Sequence, residues 1–179
     1  MSKMRKFLLI TLLSVYLGGC ATVRFLLWRP PSIARCPGTL VPTSEIHGEF
    51  TGQERLRVRS DDGSVDAGFT VAVEKKGDRI TVVGWNAFGA KAFSIVQQGT
   101  RTTSDRLLGP ALPVPPENVL RDLHRARFLP RGSASPGVTL IEQREPPGAV
   151  AIHNERCGYT ATFVPVGRPL LSSDDSASP

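Results

Sequence analysis

The sequence predicts a mainly β fold of the α+β class, with one helix inserted into a curled antiparallel sheet or half-open β-barrel. In short runs from about residue 49 to 105, and again after residue 138, apolar and polar residues alternate with a period of two. Glycine-containing turns separate the runs, as is typical of an antiparallel meander with one buried face. In residues 116–128 the apolar positions instead recur at helical spacing.

The first strand runs place their apolar residues on one face of the predicted sheet. Leu56 and Val58 alternate with arginines, and the later runs alternate in the same way. The inward-facing candidates are Phe69, Val71, Val73, Ile80, Val82, Phe93 and Ile95. Two interpretations stay open. These side chains fill an ordinary core, or they line an apolar ligand cavity because a half barrel is too wide to fill.

Turn segments separate the runs, and one of them carries two large aromatic residues. Asp61-Asp62-Gly63 and Lys76-Gly77-Asp78 have the composition of turns, as do residues 86–89. Trp85 and Phe88 lie at this last turn. Either both pack beneath the helix, or Phe88 is exposed as a contact for membrane or cargo.

A proline-rich loop, residues 108–116, leads into the predicted helix. Pro116 and Glu117 fit the first turn, where proline is tolerated and an acidic side chain complements the helix dipole. The helix ends around residues 128–130, and strands resume at residues 138–143, 149–154 and 159–166. We expect the helix to cover or plug the concave side of the sheet.

The N-terminus has the layout of a secretory signal peptide. Three basic residues precede an apolar run of about 11 residues, which is too short to span a bilayer because spanning needs roughly 20. The run ends in Leu17-Gly18-Gly19-Cys20, which resembles a bacterial lipobox. That resemblance implies cleavage before Cys20 and acylation of its thiol and new amine, and such multiple acylation anchors a protein stably.

This processing defines the predicted domain organisation. Residues 1–19 are the lipoprotein signal peptide, and residues 20–42 are a lipidated, proline-rich tether. Residues 43–168 form the half-barrel domain. Residues 169–179 are predicted to be a disordered tail, because Ser172 to Pro179 are small and polar.

The charge of the mature chain gives no support to a nucleic-acid role. Three of the 22 basic residues lie in the signal peptide and all 16 acidic residues lie after it, so the formal excess of +6 falls by half. No motif interleaves aromatic and basic residues, and we expect no nucleic-acid partner. The remaining basic character is compatible with anionic lipid headgroups.

The residue pattern also gives no support to catalysis, metal or cofactor. Asp122 and His124 are two apart on a helix, so they do not face each other. Glu142 and Glu145 flank a hairpin and are expected to be solvated. The three histidines, His47, His124 and His153, have no ligand spacing among them. We therefore expect a protein that is not an enzyme and holds no metal or cofactor.

Two cysteines remain after Cys20 is lipidated. Cys36 and Cys157 lie near the two ends of the domain, where the first and last strands of a curled sheet can be neighbours. In an oxidising compartment such a pair predicts a disulfide, and the alternative is two buried free thiols.

Several segments together resemble a family of small bacterial outer-membrane lipoproteins described as a domain of unknown function. Its members often accompany aryl-polyene or fatty-acid-like biosynthesis clusters. The resemblance rests on the lipobox, residues 79–95, the proline-rich loop, residues 119–123 and the closing strand around Tyr159. The order of strands, turns and single helix also resembles the LolA and LolB lipoprotein carriers. This implies an apolar half-barrel cavity for lipid or acyl chains, and places Phe88 where LolB has a membrane-contacting turn.

These observations lead to two expectations for function. The first is a periplasm-facing outer-membrane lipoprotein that binds or transfers a lipid-like or acyl molecule. Ala21 favours the outer membrane, because enterobacterial sorting retains lipoproteins with Asp at that position in the inner membrane. The second is a non-catalytic adaptor lipoprotein with a filled core, which docks on an envelope assembly. In both cases the membrane is a partner through the N-terminal anchor.

Overall fold

The computed structural model describes residues 30–38, 40–130, 137–143, 146–167 and 170. From Pro31 onward these residues belong to one compact unit. The predicted signal peptide, Cys20 and the tail after residue 170 lie outside the described residues. Within the described ranges, no helix has the length and apolar character needed to cross a bilayer.

Eight antiparallel strands form a single sheet in the order β5-β4-β3-β2-β1-β8-β7-β6. The strands are β1 (Phe50–Ser60), β2 (Asp66–Lys76), β3 (Arg79–Asn86), β4 (Lys91–Gln98), β5 (Arg101–Arg106), β6 (Val138–Glu142), β7 (Val150–Asn154) and β8 (Tyr159–Val166). One helix, α1 (Pro116–Arg127), lies between β5 and β6 in the chain. The prediction of a mainly β fold with one inserted helix is therefore confirmed.

The sheet is open, which corrects the predicted shape. The first strand β1 pairs with the last strand β8, as expected for neighbouring chain ends. However, β5 and β6 are edge strands that do not pair with each other, and the sheet is neither closed nor strongly curled. The expected half-barrel is therefore a flatter sheet. Its covered face needs room for only one helix, so closure is not required to bury the apolar residues.

Strand register gathers the inward-facing residues into one continuous face. Leu56 on β1 lies opposite Phe69 on β2 and Phe163 on β8. At the β3–β4 pair, Gly84 lies opposite Phe93, and a Cβ atom at residue 84 would lie 2.3 Å from Phe93 Cε1. Glycine is needed there because the phenyl ring packs directly on the backbone.

Helix α1 lies across this face and contacts strands on both sides of it. It begins at Pro116, whose missing N–H costs no helical hydrogen bond, and ends where Phe128 N–H donates to the His124 carbonyl at 2.8 Å. Leu120 and Leu123 are at most 1% exposed. The helix contacts β4 and β5 towards one edge of the sheet, and β7 and β8 towards the other.

A proline-rich segment covers the outer side of α1. We call residues 31–38 and 40–43 the strap. The Ile33 N–H donates to the Pro113 carbonyl at 2.8 Å, and the Val41 N–H donates to His124 Nδ1 at 3.2 Å. The strap ends where the Thr43 N–H donates to the Gly99 carbonyl at 3.2 Å. Much of what the sequence assigned to the tether thus packs on the domain, and α1 lies between the strap and the sheet.

Candidate functional site

The face beneath α1 contains all seven residues that the sequence proposed as cavity lining. Phe69, Val71, Val73, Ile80, Val82, Phe93 and Ile95 are between 0% and 6% exposed. The Phe69 and Phe93 rings meet edge to face with centroids 5.8 Å apart. In this structure these residues pack as a core against the helix, so a ligand can reach them only if α1 moves.

A disulfide fixes the strap to the sheet. Cys36, on the strap, is bonded to Cys157 just before β8, and their Cα atoms are 6.0 Å apart. Beside it, the Cys36 N–H donates to Asn118 Oδ1 at 2.9 Å. The predicted pairing is present, and it joins the strap, α1 and β8 at one place.

A buried carboxylate network anchors the middle of α1. Asp122 is 1% exposed and accepts hydrogen bonds from Tyr159 (2.6 Å), Asn154 (3.2 Å) and Arg125 (3.0 Å). Burial raises the pKa of Asp122, while these three partners act to lower it. Burial, and then the neighbouring carboxylate charge, raises the pKa of Tyr159. The network ties the helix to β7 and β8, and Asp122 does not face His124, as the sequence predicted.

A second buried ion pair anchors the end of α1. Arg127 donates to both carboxylate oxygens of Glu54 at 2.7 and 2.8 Å. Glu54 is fully buried on the inward face of β1, two residues before Leu56. Removing one partner of such a pair leaves an uncompensated buried charge, which strongly destabilises a protein.

His124 of α1 and Gln97 of β4 both form hydrogen bonds with Val41 of the strap, which is the third polar contact of the helix. Because His124 Nδ1 accepts from the Val41 N–H, the neutral ring carries its proton on Nε2. Gln97 Nε2 donates to the Val41 and Gly99 carbonyls, both at 2.7 Å. Both residues are fully buried, and His124 Nε2 and Gln97 Oε1 have no partner among the described residues. Burial lowers the pKa of His124 to about 4.

Phe88 projects from the β3–β4 turn with 94% of its surface exposed. Asn86 Oδ1 accepts hydrogen bonds at 3.0 Å from the backbone N–H groups of Phe88 and Ala90, which fixes the turn. Gly89 follows with φ of +76°, a backbone region that favours glycine. Trp85 is half-buried on the outer face of the sheet, beside Thr70 of β2, so it does not join Phe88 at the tip.

Phe88 lies at the end of the sheet where the strap begins. The β1–β2 and β3–β4 turns share this end, and Leu107, which is 54% exposed, follows β5 there. Ser32 lines one surface cleft together with Asp61 of the β1–β2 turn. The start of the strap and the two exposed apolar side chains are therefore on the same end of the domain.

Comparison with known families gives a match over β1 to β6 and the helix between them. The model of a family described as "Protein of unknown function (DUF3261)" matches residues 51–145. The chain belongs to this family. No curated protein matches it. The matched region contains the Phe88 turn, Glu54 and α1, whereas Cys36, Cys157 and the whole strap lie outside it.

Sequence patterns missed the polar anchors of the helix. A signal for Glu54 was present, because an acidic residue at the inward position of a strand needs a buried partner. Nothing in the sequence pairs Asp122 with Tyr159, which lies 37 residues away. In the described part of the chain, no three His, Cys, Asp or Glu side chains are placed to hold a metal ion.

The buried His124 predicts a loss of stability in mild acid. The unfolded chain takes up a proton below about pH 6.5, whereas the folded ring resists protonation to about pH 4, so stability falls across this window. The loss of unfolding free energy that is due to His124 approaches about 3 kcal/mol at the lower end of this pH window. His124→Gln keeps an acceptor for the Val41 N–H but does not titrate, so it should lose less stability.

Urea unfolding of both proteins at about pH 7 and about pH 4.5 measures this difference. The raised pKa of Asp122 acts with the opposite sign, but it is common to both proteins and cancels in the comparison. Equal stability losses in wild type and His124→Gln would contradict the assignment of the acid-induced loss to His124.

Proposed function

We propose that this protein is an outer-membrane lipoprotein that faces the periplasm and binds or passes on a lipid-like or acyl molecule. The lipobox at Cys20 supports the anchor, and the burial of Phe93 and its neighbours beneath α1 supplies an apolar face. The observation that carries the proposal is the exposure of Phe88 at the tip of a rigid turn. A large apolar side chain held out in solvent marks an interaction site when its neighbours are also apolar.

The position of the strap supports a membrane-facing orientation for this end. Ten residues separate Cys20 from Pro31, and they reach at most about 35 Å when extended. An anchor at Cys20 therefore keeps the start of the strap near the membrane surface. Because Phe88 and Leu107 lie at that same end, they point to the bilayer, with Lys91 exposed nearby for anionic headgroups.

Ligand binding in this proposal takes place between α1 and the sheet. The seven inward residues are closed off in the structure, so an acyl chain enters only when the helix withdraws from them. The Asp122 network and the Glu54–Arg127 pair hold α1 in the closed position. Contact of Phe88 with membrane or cargo would offset part of the cost of opening, because burying one phenylalanine contributes about 2 kcal/mol.

A second candidate is favoured by the packed interior. If α1 never leaves the sheet, the protein is a non-catalytic adaptor that uses the Phe88 end to dock on an envelope assembly. Native mass spectrometry of the protein released gently from membranes separates the two candidates. A bound acyl species supports transfer, whereas a ligand-free protein after incubation with fatty acid supports the adaptor.

Phe88→Ala should weaken membrane binding without affecting the fold. Because the side chain is 94% exposed, we expect a change in unfolding free energy within about 0.5 kcal/mol. Binding to anionic liposomes should fall about tenfold, from loss of the buried phenyl ring. The chain is tested from Ala21 onward, so that the lipid anchor does not dominate the assay.

Val166→Ala is the matched control for Phe88→Ala. Val166 is 42% exposed at the end of β8, at the opposite end of the sheet. Its truncation should leave liposome binding unchanged. Equal liposome binding by all three proteins, or an equal loss in both variants, would refute the proposal that the Phe88 end faces the membrane.

Cys20→Ser should abolish lipid attachment. Serine offers no thiol for diacylglycerol, so radioactive palmitate should label the wild type alone, and the variant should leave the outer-membrane fraction. Cys36→Ser controls for the loss of a cysteine elsewhere, and it should still be labelled. Equal label in wild type and Cys20→Ser would remove the anchor from the proposal.

A further inference from the structure

A polar cavity of about 320 Å³ lies between the strap, α1 and the edge strand β5. The strap contributes Arg35 and Gly38, and α1 contributes Glu117 and Arg121. Thr100 and Thr102 complete the opposite wall. The cavity is separate from the seven apolar residues under α1 and from the Phe88 end.

Arg121 is a buried cation without an acidic partner. It is 6% exposed, and its Nη1 donates to the Cys36 carbonyl and, at 3.5 Å, to Asn118 Oδ1. Both acceptors are uncharged. No carboxylate within the described ranges forms an ion pair with Arg121. A buried charge normally has a counter-charge, so its absence here indicates a missing anion.

The surroundings of the cavity add positive charge. Arg35 is exposed and interacts electrostatically with Glu117, without a direct ion pair among the described residues. Burial lowers the pKa of Arg121, and Arg35 and Arg125 lower it further, while Tyr159 and Asp122 raise it. The repulsion between Arg121 and Arg35 is smaller than the attraction of Arg121 to Asp122, and an anion between the two arginines would relieve it.

The one carboxylate in the cavity wall, Glu117, is partly satisfied. Glu117 Oε1 accepts from the Ser104 hydroxyl at 2.7 Å, and Glu117 Oε2 lies 3.6 Å from Arg106 Nη2. These contacts hold Glu117 towards β5, and Oε2 has no hydrogen-bond partner among the described residues. Gly38 lets the strap pass directly over Arg121, because a Cβ atom there would lie 2.6 Å from Arg121 Cδ.

We propose that this cavity binds an anionic oxyacid group, a phosphate or a carboxylate, between Arg35 and Arg121. Guanidinium groups present paired donors that match both anions, and the Thr100 and Thr102 hydroxyls can donate to the remaining oxygens. The site requires neither membrane binding nor an open helix, so it stands apart from the proposed lipid transfer. The anion is either a free ion or the headgroup of an amphiphile whose chain lies against the half-buried Leu40 in the cavity wall.

Calorimetric titration of the intact mature protein in a non-ionic detergent tests the site. The probes are inorganic phosphate, for a free anion, and octyl phosphate, for a headgroup on a chain. We expect saturable binding of at least one probe. Arg35→Gln and Arg121→Lys should each weaken it about tenfold or more, because a charge-assisted or bidentate contact is lost.

Arg55→Gln is the matched control, since Arg55 is an exposed arginine on the outer face of β1. It should bind as the wild type does. Tighter binding of octyl phosphate identifies a headgroup site, and equal binding identifies a free-anion site. The proposal is overturned if the wild type binds neither probe, if Arg35→Gln binds normally, or if Arg55→Gln shows the same loss. Because Arg35 is exposed, Arg35→Gln should fold normally, and it tests the anion site even if Arg121→Lys does not fold.

Discussion

The position of α1 depends on the strap and on the Cys36–Cys157 bond that fixes it. Asn118, Arg121 and His124 all direct polar atoms to strap backbone groups. Without the strap these buried groups would lose their partners, and each unsatisfied group costs about 1–3 kcal/mol. The bond closes a separation of 121 residues, for which chain entropy alone gives nearly 5 kcal/mol. A short helix thus stays on the sheet because both of its sides have partners.

This arrangement connects the fold to the proposed function. The strap begins at the end of the domain that carries Phe88, and it runs along α1 towards the helix C-terminus. Any contact at the Phe88 end therefore acts on the segment that holds the helix in place. The buried polar anchors, Asp122 and the Glu54–Arg127 pair, make the closed state specific, because they require one position of α1 rather than any apolar contact.

The sequence predicted those features that have a local period. Alternation around Leu56, and the proline and apolar spacing from Pro116, specify strands and helix by short-range rules. The prolines of the strap predict a tether, because they exclude regular structure, but they do not exclude packing on the domain. Curvature was overestimated, since alternation shows which face is buried but not how far a sheet bends. The Asp122–Tyr159 contact has no local signature at all, and the exposure of Phe88 was one of two open alternatives.

Native-state hydrogen exchange on the Cys36→Ala/Cys157→Ala protein tests the central claim most directly. If the strap holds α1 on the sheet, amides of residues 116–127 should lose far more protection than those of β2 and β3, since the helix opens without global unfolding. The Ile33 and Val41 amides, whose hydrogen bonds fix the strap, should lose protection together with the helix. Unchanged helix protection, or an equal loss across helix and central strands, would contradict the account.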